Sequence, residues 1–290
     1  MARWRTLLSA TASVDEEGAI GTAPAQDSPQ ALSVLNAAPA REARTETGDE
    51  LRHWCLFLDV DGTLLEFSAI PDEVRVPVEL RLRLEELSTA FGGALALISG
   101  RTLATLDGLF APLRLPAAGV HGLERRTAGE AVHRVDVHCA QLERARQNLL
   151  SLVYRHPALI LENKGVALAV HYRRAPELQQ LAREHAYRAA AELGAPFMVL
   201  EGDMLFEIKP TKPDKASAIE SFLLEAPFAG RRPIFVGDDI TDRDGFAAVK
   251  RHGGLTVGVG ERISGDRQLA NPRAVRHWLG NLLTAGDPLR

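Results

Sequence analysis

The chain has 290 residues, 46% of them hydrophobic, and 34 basic against 38 acidic residues give it a formal net charge of −4. This length accommodates one large domain or two modest ones around a genuine apolar core. Because acids and bases are interspersed, we expect no basic field that attracts nucleic acid or an anionic membrane surface, and a small molecule is the expected partner.

The first part of the chain, residues 1–50, is rich in Ala, Ser, Thr, Pro, Gly and Glu and shows no sustained hydrophobic periodicity. A segment of this composition buries too little apolar surface to offset the entropy lost on ordering, so we predict a disordered leader. It starts with positive charges but lacks the long apolar segment of a signal peptide.

The rest of the sequence bears on localisation. Its apolar runs are too short for a transmembrane helix. The two cysteines, Cys55 and Cys139, match neither a metal-ligand spacing nor a disulfide framework, and we interpret both as buried apolar residues in a reducing compartment. We therefore expect a cytoplasmic protein with neither a membrane nor a nucleic acid as partner. We also expect it to be a monomer.

From residue 53 onward, short apolar runs alternate with amphipathic segments. Buried strands are predicted at residues 54–58, 93–98, 116–123, 233–236 and 255–259. Helices are predicted at residues 77–90 and 214–224 and after the loop 237–242. The alternation of strand and helix indicates parallel βαβ units, so both parts should form one doubly wound parallel sheet of the α/β class.

The middle of the chain follows a different pattern. Each of its halves has a helix and then two strands around a turn, at residues 141–154, 159–162 and 166–172, and again at 176–193, 198–200 and 204–208. Such pairs of strands are typical of antiparallel hairpins. We therefore predict a discontinuous core, residues 51–124 and 211–290, interrupted by an inserted α+β cap at 125–210.

Polar residues follow the apolar runs where the predicted strands end. In open α/β sheets ligands bind at the carboxyl ends of the strands, so three of these loops should converge. They contribute Asp59, Asp61, Ser99, Asp238, Asp239 and Asp242. So many carboxylates repel one another and an anionic substrate, and a hard divalent cation would neutralise them. Mg2+ fits this description best.

These segments resemble the four motifs of the haloacid dehalogenase superfamily of phosphatases over about residues 53–280. The motifs are Asp59-Val60-Asp61-Gly62-Thr63-Leu64, Ser99-Gly100-Arg101, Lys215 and Gly237-Asp238-Asp239-Ile240-Thr241-Asp242. Each segment alone is also typical of a polar turn, a helix cap or a solvated lysine. Their joint occurrence, each in its expected context, favours function. The resemblance implies a Rossmann-like core with an inserted cap.

The resemblance also implies chemistry through an aspartyl-phosphate intermediate. Asp59 would attack phosphorus, and Asp61 would protonate the leaving oxygen and then activate water. Ser99 would donate to a phosphate oxygen, and Lys215 would supply fixed positive charge. The implied Mg2+ ligands are Asp59, Asp61 through its main-chain carbonyl, Asp238 and Asp239, with Asp242 and Thr63 as auxiliary residues.

Two other lysines could fill the role given to Lys215. The family usually has glycine after its lysine, whereas Ala216 follows Lys215 here. Lys209 and Lys212 lie close enough in sequence to fill the same role, so the assignment stays open at this point.

The predicted cap and its borders are similar to the trehalose-6-phosphate phosphatase family. The similar segments are Val120-His121-Gly122-Leu123-Glu124, Glu162-Asn163-Lys164-Gly165 and Phe206-Glu207-Ile208-Lys209-Pro210. The resemblance implies that Glu162, Lys164 and Glu207 bind sugar hydroxyls, with Arg101 and His121 as further substrate-binding candidates. Carboxylates and ammonium groups suit this task because they hydrogen-bond several hydroxyls at once. Exposed charge on a hairpin is the alternative interpretation.

Other functions share parts of this pattern. Another capped sugar-phosphate phosphatase, such as one acting on sucrose phosphate, would have the same core. A phosphomutase would also use Asp59 and Asp61 but would have to shield its phosphoenzyme from water. A phospho-accepting receiver or a sugar sensor would need no acid/base carboxylate, so the presence of Asp61 argues against both.

Overall fold

A computed structural model of the chain describes residues 50–66, 74–137, 139–285 and 288. The predicted leader, apart from its last residue, lies outside these described residues. The strands are β1 Trp54–Leu58, β2 Leu95–Ile98, β3 Ala117–Gly119, β4 Glu124–Arg126, β5 Val132–Arg134, β6 Ile160–Asn163, β7 Leu168–His171, β8 Phe197–Gly202, β9 Leu205–Pro210, β10 Arg232–Gly237, β11 Leu255–Val259 and β12 Arg267–Leu269. The helices are α1 Val78–Ala90, α2 Leu103–Phe110, α3 Cys139–Arg155, α4 Gln179–Leu193, α5 Lys215–Leu223, α6 Arg243–Arg251 and α7 Pro272–Ala285. Within the described residues, we find no helix with the length and apolar character needed to cross a membrane.

The larger sheet has eight strands in the order β12-β11-β10-β1-β2-β3-β4-β5. Neighbouring strands from β12 to β3 are parallel, and β4 and β5 extend the sheet in antiparallel fashion at one edge. The predicted doubly wound parallel sheet is therefore confirmed. Its pairing continues to Arg134, beyond residue 124, where the sequence predicted that the core gives way to the cap.

Strand β1 shows why the sheet is covered on both faces. Successive side chains of a strand point to opposite faces, and accordingly Leu56 and Leu58 join one apolar cluster while Cys55 and Phe57 join another. Helices α1, α2 and α7 complete the first cluster, and α5 and α6 complete the second. Because every residue of β1 is buried, its sequence is continuously apolar.

The smaller sheet has four strands in the order β6-β7-β9-β8, and its neighbours are all antiparallel. The two predicted hairpins are confirmed by this pairing. Helices α3 and α4 pack on one face of the sheet in a third cluster, which includes Leu168, Val170 and Phe206. The other face is therefore left to residues that alternate with these, among them Glu207.

Candidate active site

Three loops meet where the central strands of the larger sheet end. Asp59 follows β1, Ser99 follows β2 and Asp238 follows β10, and β1 lies between the other two strands. A cavity of about 420 Å³ lies between these loops and the smaller sheet. The predicted site residues that line it are Asp59, Asp61, Ser99, Arg101, His121, Glu162, Lys164, Glu207, Lys215 and Asp239. The remaining predicted residues, Thr63, Asp238 and Asp242, are buried.

A buried ammonium group joins two carboxylates at the end of β1. Nζ of Lys215 donates hydrogen bonds to Asp59 Oδ1 at 2.8 Å and to Asp242 Oδ1 at 2.6 Å. Burial disfavours the charged amine, but the two carboxylates outweigh it and hold the pKa of Lys215 above its usual value. Lys215 is therefore a permanent cation beside Asp59.

The two competing lysines make other contacts. Nζ of Lys209 donates to the main-chain carbonyl of the next residue at 2.7 Å, and Lys212 pairs with Asp214. Lys215 begins α5, and its position is fixed because the Asp214 side chain caps that helix by accepting from the Ser217 N–H. The geometry favours Lys215 for the role that the sequence left open.

Asp59, Asp238 and Asp242 form a cluster in which one carboxylate oxygen of each residue lies within 4.8 Å of one oxygen of the other two. Both oxygens of Asp242 are engaged, because its Oδ2 accepts from the N–H groups of Asp238 and Asp239 at 3.0 Å each. Burial, reinforced by Asp242, raises the pKa of Asp238 to about 6, and burial raises the pKa of Asp59 well above its ordinary value. Burying several negative charges is costly without a positive partner. A hard cation such as Mg2+ would offset this cost, and it prefers carboxylate oxygens as ligands.

Two glycines make room for this cluster. Gly62 has a φ of 82°, and a Cβ there would lie 2.2 Å from Asp238 Oδ2. The neighbouring Thr63 donates from Oγ1 to Asp238 Oδ1 at 2.9 Å. At Gly237 a Cβ would lie 2.5 Å from Cγ of Asp242. Both glycines are therefore required by the close approach of an aspartate.

Asp61 lines the cavity, and its carboxylate is held by Arg101. Nε of Arg101 donates to Asp61 Oδ2 at 2.7 Å and Nη2 donates to Oδ1 at 2.8 Å, a bidentate geometry that suits a guanidinium. The hydroxyl oxygen of Ser99 accepts from the Arg101 N–H at 3.1 Å. Because Ser99 also lines the cavity, its O–H can donate to a bound anion.

The smaller sheet reaches the larger one through Lys164, which lies in the turn between β6 and β7. Nζ of Lys164 donates to the Gly100 carbonyl at 2.8 Å and to Glu207 Oε2 at 2.7 Å. Burial opposes the charge of Glu207, but Lys164 and then His121 hold its pKa below the usual range. Among the described residues, the buried Oε1 of Glu207 has no hydrogen-bond partner, so it is available to a ligand.

His121 lies against Gly100 in an unusual backbone conformation. Val120 and His121 have φ values of 47° and 56°, a left-handed region that valine rarely adopts. A Cβ at Gly100 would lie 2.7 Å from His121 Nε2, and the same nitrogen lies 3.5 Å from Glu207 Oε2. The strained turn therefore brings an imidazole of the core to a carboxylate of the cap.

Glu162 and His171 form a second pair on the wall of the cavity. The distance from His171 Nε2 to Glu162 Oε2 is 2.9 Å. Partial burial acts against the charge of Glu162, but the hydrogen bond to His171 and the nearby Lys164 hold its pKa below the usual value. The Glu162 side chain is 36% exposed, so it keeps access to a ligand in the cavity.

The sequence did not single out Arg262, which links two residues that line the cavity. Nη2 of Arg262 lies 3.3 Å from Asp203 Oδ1, in the turn between β8 and β9, and Nη1 lies 3.7 Å from Asp239 Oδ1. Arg173 donates to Oδ2 of the same Asp203 at 2.5 Å. Arg262 belongs to none of the motifs found in the sequence. Its two contacts are with residues distant in the chain, so the sequence alone did not indicate them.

Comparisons with known proteins identify the family that this chain resembles. A family model described as trehalose-phosphatase matches residues 57–276. A protein of Sinorhizobium fredii named probable trehalose-phosphate phosphatase is 40% identical over 246 residues, which cover 83% of this chain and 91% of that protein. The trehalose-6-phosphate phosphatase of Escherichia coli is 40% identical over 245 residues, which cover 84% of this chain and 92% of that protein.

Solved structures share the fold. A trehalose-6-phosphate phosphatase related protein superposes with a TM-score of 0.69 at 24% identity, over 80% of this chain and 98% of that one. The C-terminal domain of the trehalose-6-phosphate phosphatase of C. albicans also gives a TM-score of 0.69, at 22% identity, over 85% of this chain and 97% of that one. The α/β core with an added cap is therefore an architecture known from phosphatases.

Proposed function

The chain belongs to the trehalose-phosphatase family, and we propose that it hydrolyses trehalose 6-phosphate to trehalose and inorganic phosphate, the last step of trehalose biosynthesis. The observation that carries this proposal is that one cavity joins Asp59, with its buried ammonium partner, to Glu162 and Glu207 of the smaller sheet. A phosphate at the first end and sugar hydroxyls at the second would span it. Another capped sugar-phosphate phosphatase is not favoured, since the family model and the 40% identical relatives name this activity.

In the first displacement, Asp59 attacks phosphorus and the bond from phosphorus to the sugar oxygen breaks. The leaving oxygen takes its proton from Asp61. Lys215 and Ser99 stabilise the negative charge that is spread over the transferring group. The support for these roles is that all four side chains line the same cavity and that Lys215 already contacts Asp59.

In the second displacement, water attacks the phosphorus of the aspartyl phosphate. Asp61 removes a proton from this water, and the bond between phosphorus and Asp59 breaks, returning the electron pair to the carboxylate. Asp61 thus gives one proton and regains one in each turnover. Lys215 restrains Asp59 in the same position for both steps, because Asp242 fixes the ammonium from the other side.

We propose that Mg2+ is the resident cofactor, held by Asp59, Asp238 and the main-chain carbonyl of Asp61, with support from Asp239. When bound, the ion would offset the repulsion between the attacking carboxylate and the phosphate. Asp242 suits a supporting role, because Lys215 and two main-chain N–H groups already occupy its oxygens.

Removal of divalent cations is expected to stop phosphate release, and Mg2+ should restore it. Ca2+ should inhibit, because its looser and higher coordination misplaces the attacking carboxylate. Binding can be measured apart from turnover as the rise in thermal unfolding temperature on adding Mg2+, which Asp238→Asn should abolish. The exposed Asp136→Asn serves as the matched control and should keep the full rise. Undiminished activity in excess chelator would refute a metal requirement.

The substrate is tested by a panel of trehalose 6-phosphate, sucrose 6-phosphate, glucose 6-phosphate and p-nitrophenyl phosphate, with kcat/KM measured by phosphate release in Mg2+. We expect trehalose 6-phosphate to have the highest kcat/KM. A preference for another sugar phosphate would overturn the substrate assignment and leave the Asp59 chemistry standing. Formation of a second sugar phosphate without release of inorganic phosphate would indicate a mutase.

Glu162→Ala is expected to lower kcat/KM for trehalose 6-phosphate by about 10- to 1,000-fold and to affect p-nitrophenyl phosphate far less. The cost falls on the substrate that used the lost hydrogen bond. Glu162 is the cleanest choice, because Lys164 and Glu207 also join the two sheets of the protein. Glu201→Ala, which removes an exposed carboxylate paired with Arg183, is the control. Equal losses on both substrates would assign Glu162 a structural role.

Three expectations from the sequence stay predictions: the cytoplasmic location, the monomeric state and the division at residues 124 and 210. Sedimentation of the purified chain would test the second of these.

A further inference from the structure

The proposed acid/base residue Asp61 is gripped by one partner on both of its oxygens. The two N–H···O distances from Arg101 are 2.7 and 2.8 Å, and the Arg101 side chain is only 14% exposed. A guanidinium is a planar and rigid fork, so a bidentate bond of this kind fixes the plane of the carboxylate as well as its position.

The backbone from which Arg101 emerges is also fixed. Its N–H donates to Ser99 Oγ at 3.1 Å, and its carbonyl accepts from the Val120 N–H at 2.8 Å. The carbonyl before it, on Gly100, accepts from Lys164 of the cap at 2.8 Å. Because the backbone at Arg101 is fixed, its side chain can hold the Asp61 carboxylate in one orientation.

We infer that Arg101 is a positioning residue that directs the carboxyl group of Asp61 at the oxygen of the leaving group. The inference rests on the acid/base role proposed above for Asp61. During proton transfer one oxygen of Asp61 faces the leaving oxygen while the other keeps its bond to Arg101. As the bond from phosphorus to the leaving oxygen breaks, that oxygen receives the electron pair and the proton of Asp61. Water later returns a proton to Asp61.

The sequence suggested a different role for Arg101, which is direct binding of the substrate, and in that role its guanidinium could contact the phosphate. The two roles differ in how the loss depends on the leaving group. A phosphate contact exists whatever alcohol departs, so its removal lowers kcat/KM by the same factor for every ester. A misdirected acid harms strongly basic leaving groups most, because a weakly basic phenolate departs without a proton.

The test compares Arg101→Ala with the wild type on p-nitrophenyl, phenyl and alkyl phosphates and on trehalose 6-phosphate, with Mg2+ present. The measured quantity is kcat/KM, which reports the first displacement and excludes hydrolysis of the phosphoenzyme. We expect the loss for alkyl and sugar esters to exceed the loss for p-nitrophenyl phosphate by about 10- to 100-fold. Arg101→Lys, which cannot make the bidentate contact, should lie between. The same loss on every ester would overturn the inference.

Arg125 is a matched control, because it makes a bidentate contact with Glu225 at 2.9 and 2.8 Å and is 13% exposed. Arg125→Ala should leave the dependence on the leaving group unchanged, and a steeper dependence would overturn a role specific to Arg101.

Asp61→Asn separates failure of the inference from failure of the proposed function. If Asp61→Asn shows a strong dependence on the leaving group and Arg101→Ala shows none, the inference alone falls. If the loss in Asp61→Asn does not depend on the leaving group, both the acid/base role of Asp61 and the inference about Arg101 are wrong. In the double variant, Arg101→Ala should add no further dependence, since the residue acts through Asp61. Should the alanine variant fail to fold, Arg101→Gln replaces it in the same series.

Discussion

Asp59→Asn is expected to reduce phosphate release from trehalose 6-phosphate by about 10,000-fold or more. A neutral amide cannot attack phosphorus, so no phosphoenzyme forms. Folding should be preserved, because burial already works against a charge on Asp59 and because Lys215 keeps its hydrogen bond to Asp242. The measurements are phosphate release with Mg2+ and the thermal unfolding temperature of both proteins.

A suitable companion is Asp61→Asn, which should be almost as inactive. Because Asp59 is intact in that variant, slow attack can leave a trapped phosphoenzyme, visible by intact-protein mass spectrometry as one added phosphoryl group. Asp59→Asn should never acquire this mass. Release by Asp59→Asn at a substantial fraction of the wild-type rate would remove Asp59 as the nucleophile.

Lys215→Met is expected to lower both stability and turnover. Removing one member of a buried ionic network costs about 3–5 kcal/mol, because the groups left behind are buried without compensation. Here Asp59 and Asp242 would face each other at close range with no cation between them. We also expect kcat to fall by about 100-fold or more, since the fixed charge beside the nucleophile is lost. Urea unfolding and phosphate release measure the two effects.

Lys250→Met is the control for this variant, since Lys250 pairs with Asp266 at the surface. An exposed pair contributes about 0–1 kcal/mol, so this change should barely alter the unfolding transition. Lys209→Met tests the lysine assignment itself. If that variant loses turnover and Lys215→Met does not, the active-site lysine is Lys209.

The parallel core was predictable because its central strands have a recognisable sequence pattern. All residues of β1, β2 and β11 and all but the first residue of β10 are buried, so these strands are largely apolar and each is followed by a polar loop. The strands that carried no prediction are short or exposed. The β4 and β5 strands have three residues each, and β5 is exposed throughout, so neither shows a period. The sequence pattern therefore did not indicate these two edge strands.

Helix α2 was missed for a related reason. It has only eight residues, Leu103–Phe110, with Gly108 among them, and glycine is a poor helix former. Its start is fixed by Thr102, whose side chain accepts from the Thr105 N–H. Such a cap is a local signal that is too common in loops to predict a helix alone.

The site shows the same division between local and distant information. The position of Asp59 and Asp238 at the ends of neighbouring strands follows from the rule for open sheets, which needs only the strand ends. The contacts of Arg101 with Asp61 and of Lys164 with Gly100 join residues 40 and 64 positions apart. These pairings depend on side-chain reach across the folded cavity, and one sequence carries no record of it.

The glycines beside the aspartate cluster limit which sequences can perform this chemistry. Gly62 and Gly237 contribute no reactive group, yet the space they leave is filled by the carboxylates of Asp238 and Asp242. A single added methyl group at either position would displace an aspartate that no substitution had touched. Among natural or laboratory variants of this chain, these two silent positions are thus as restricted as the charged ones. The proposed site therefore depends on the absence of two side chains as much as on the reactive groups that it contains.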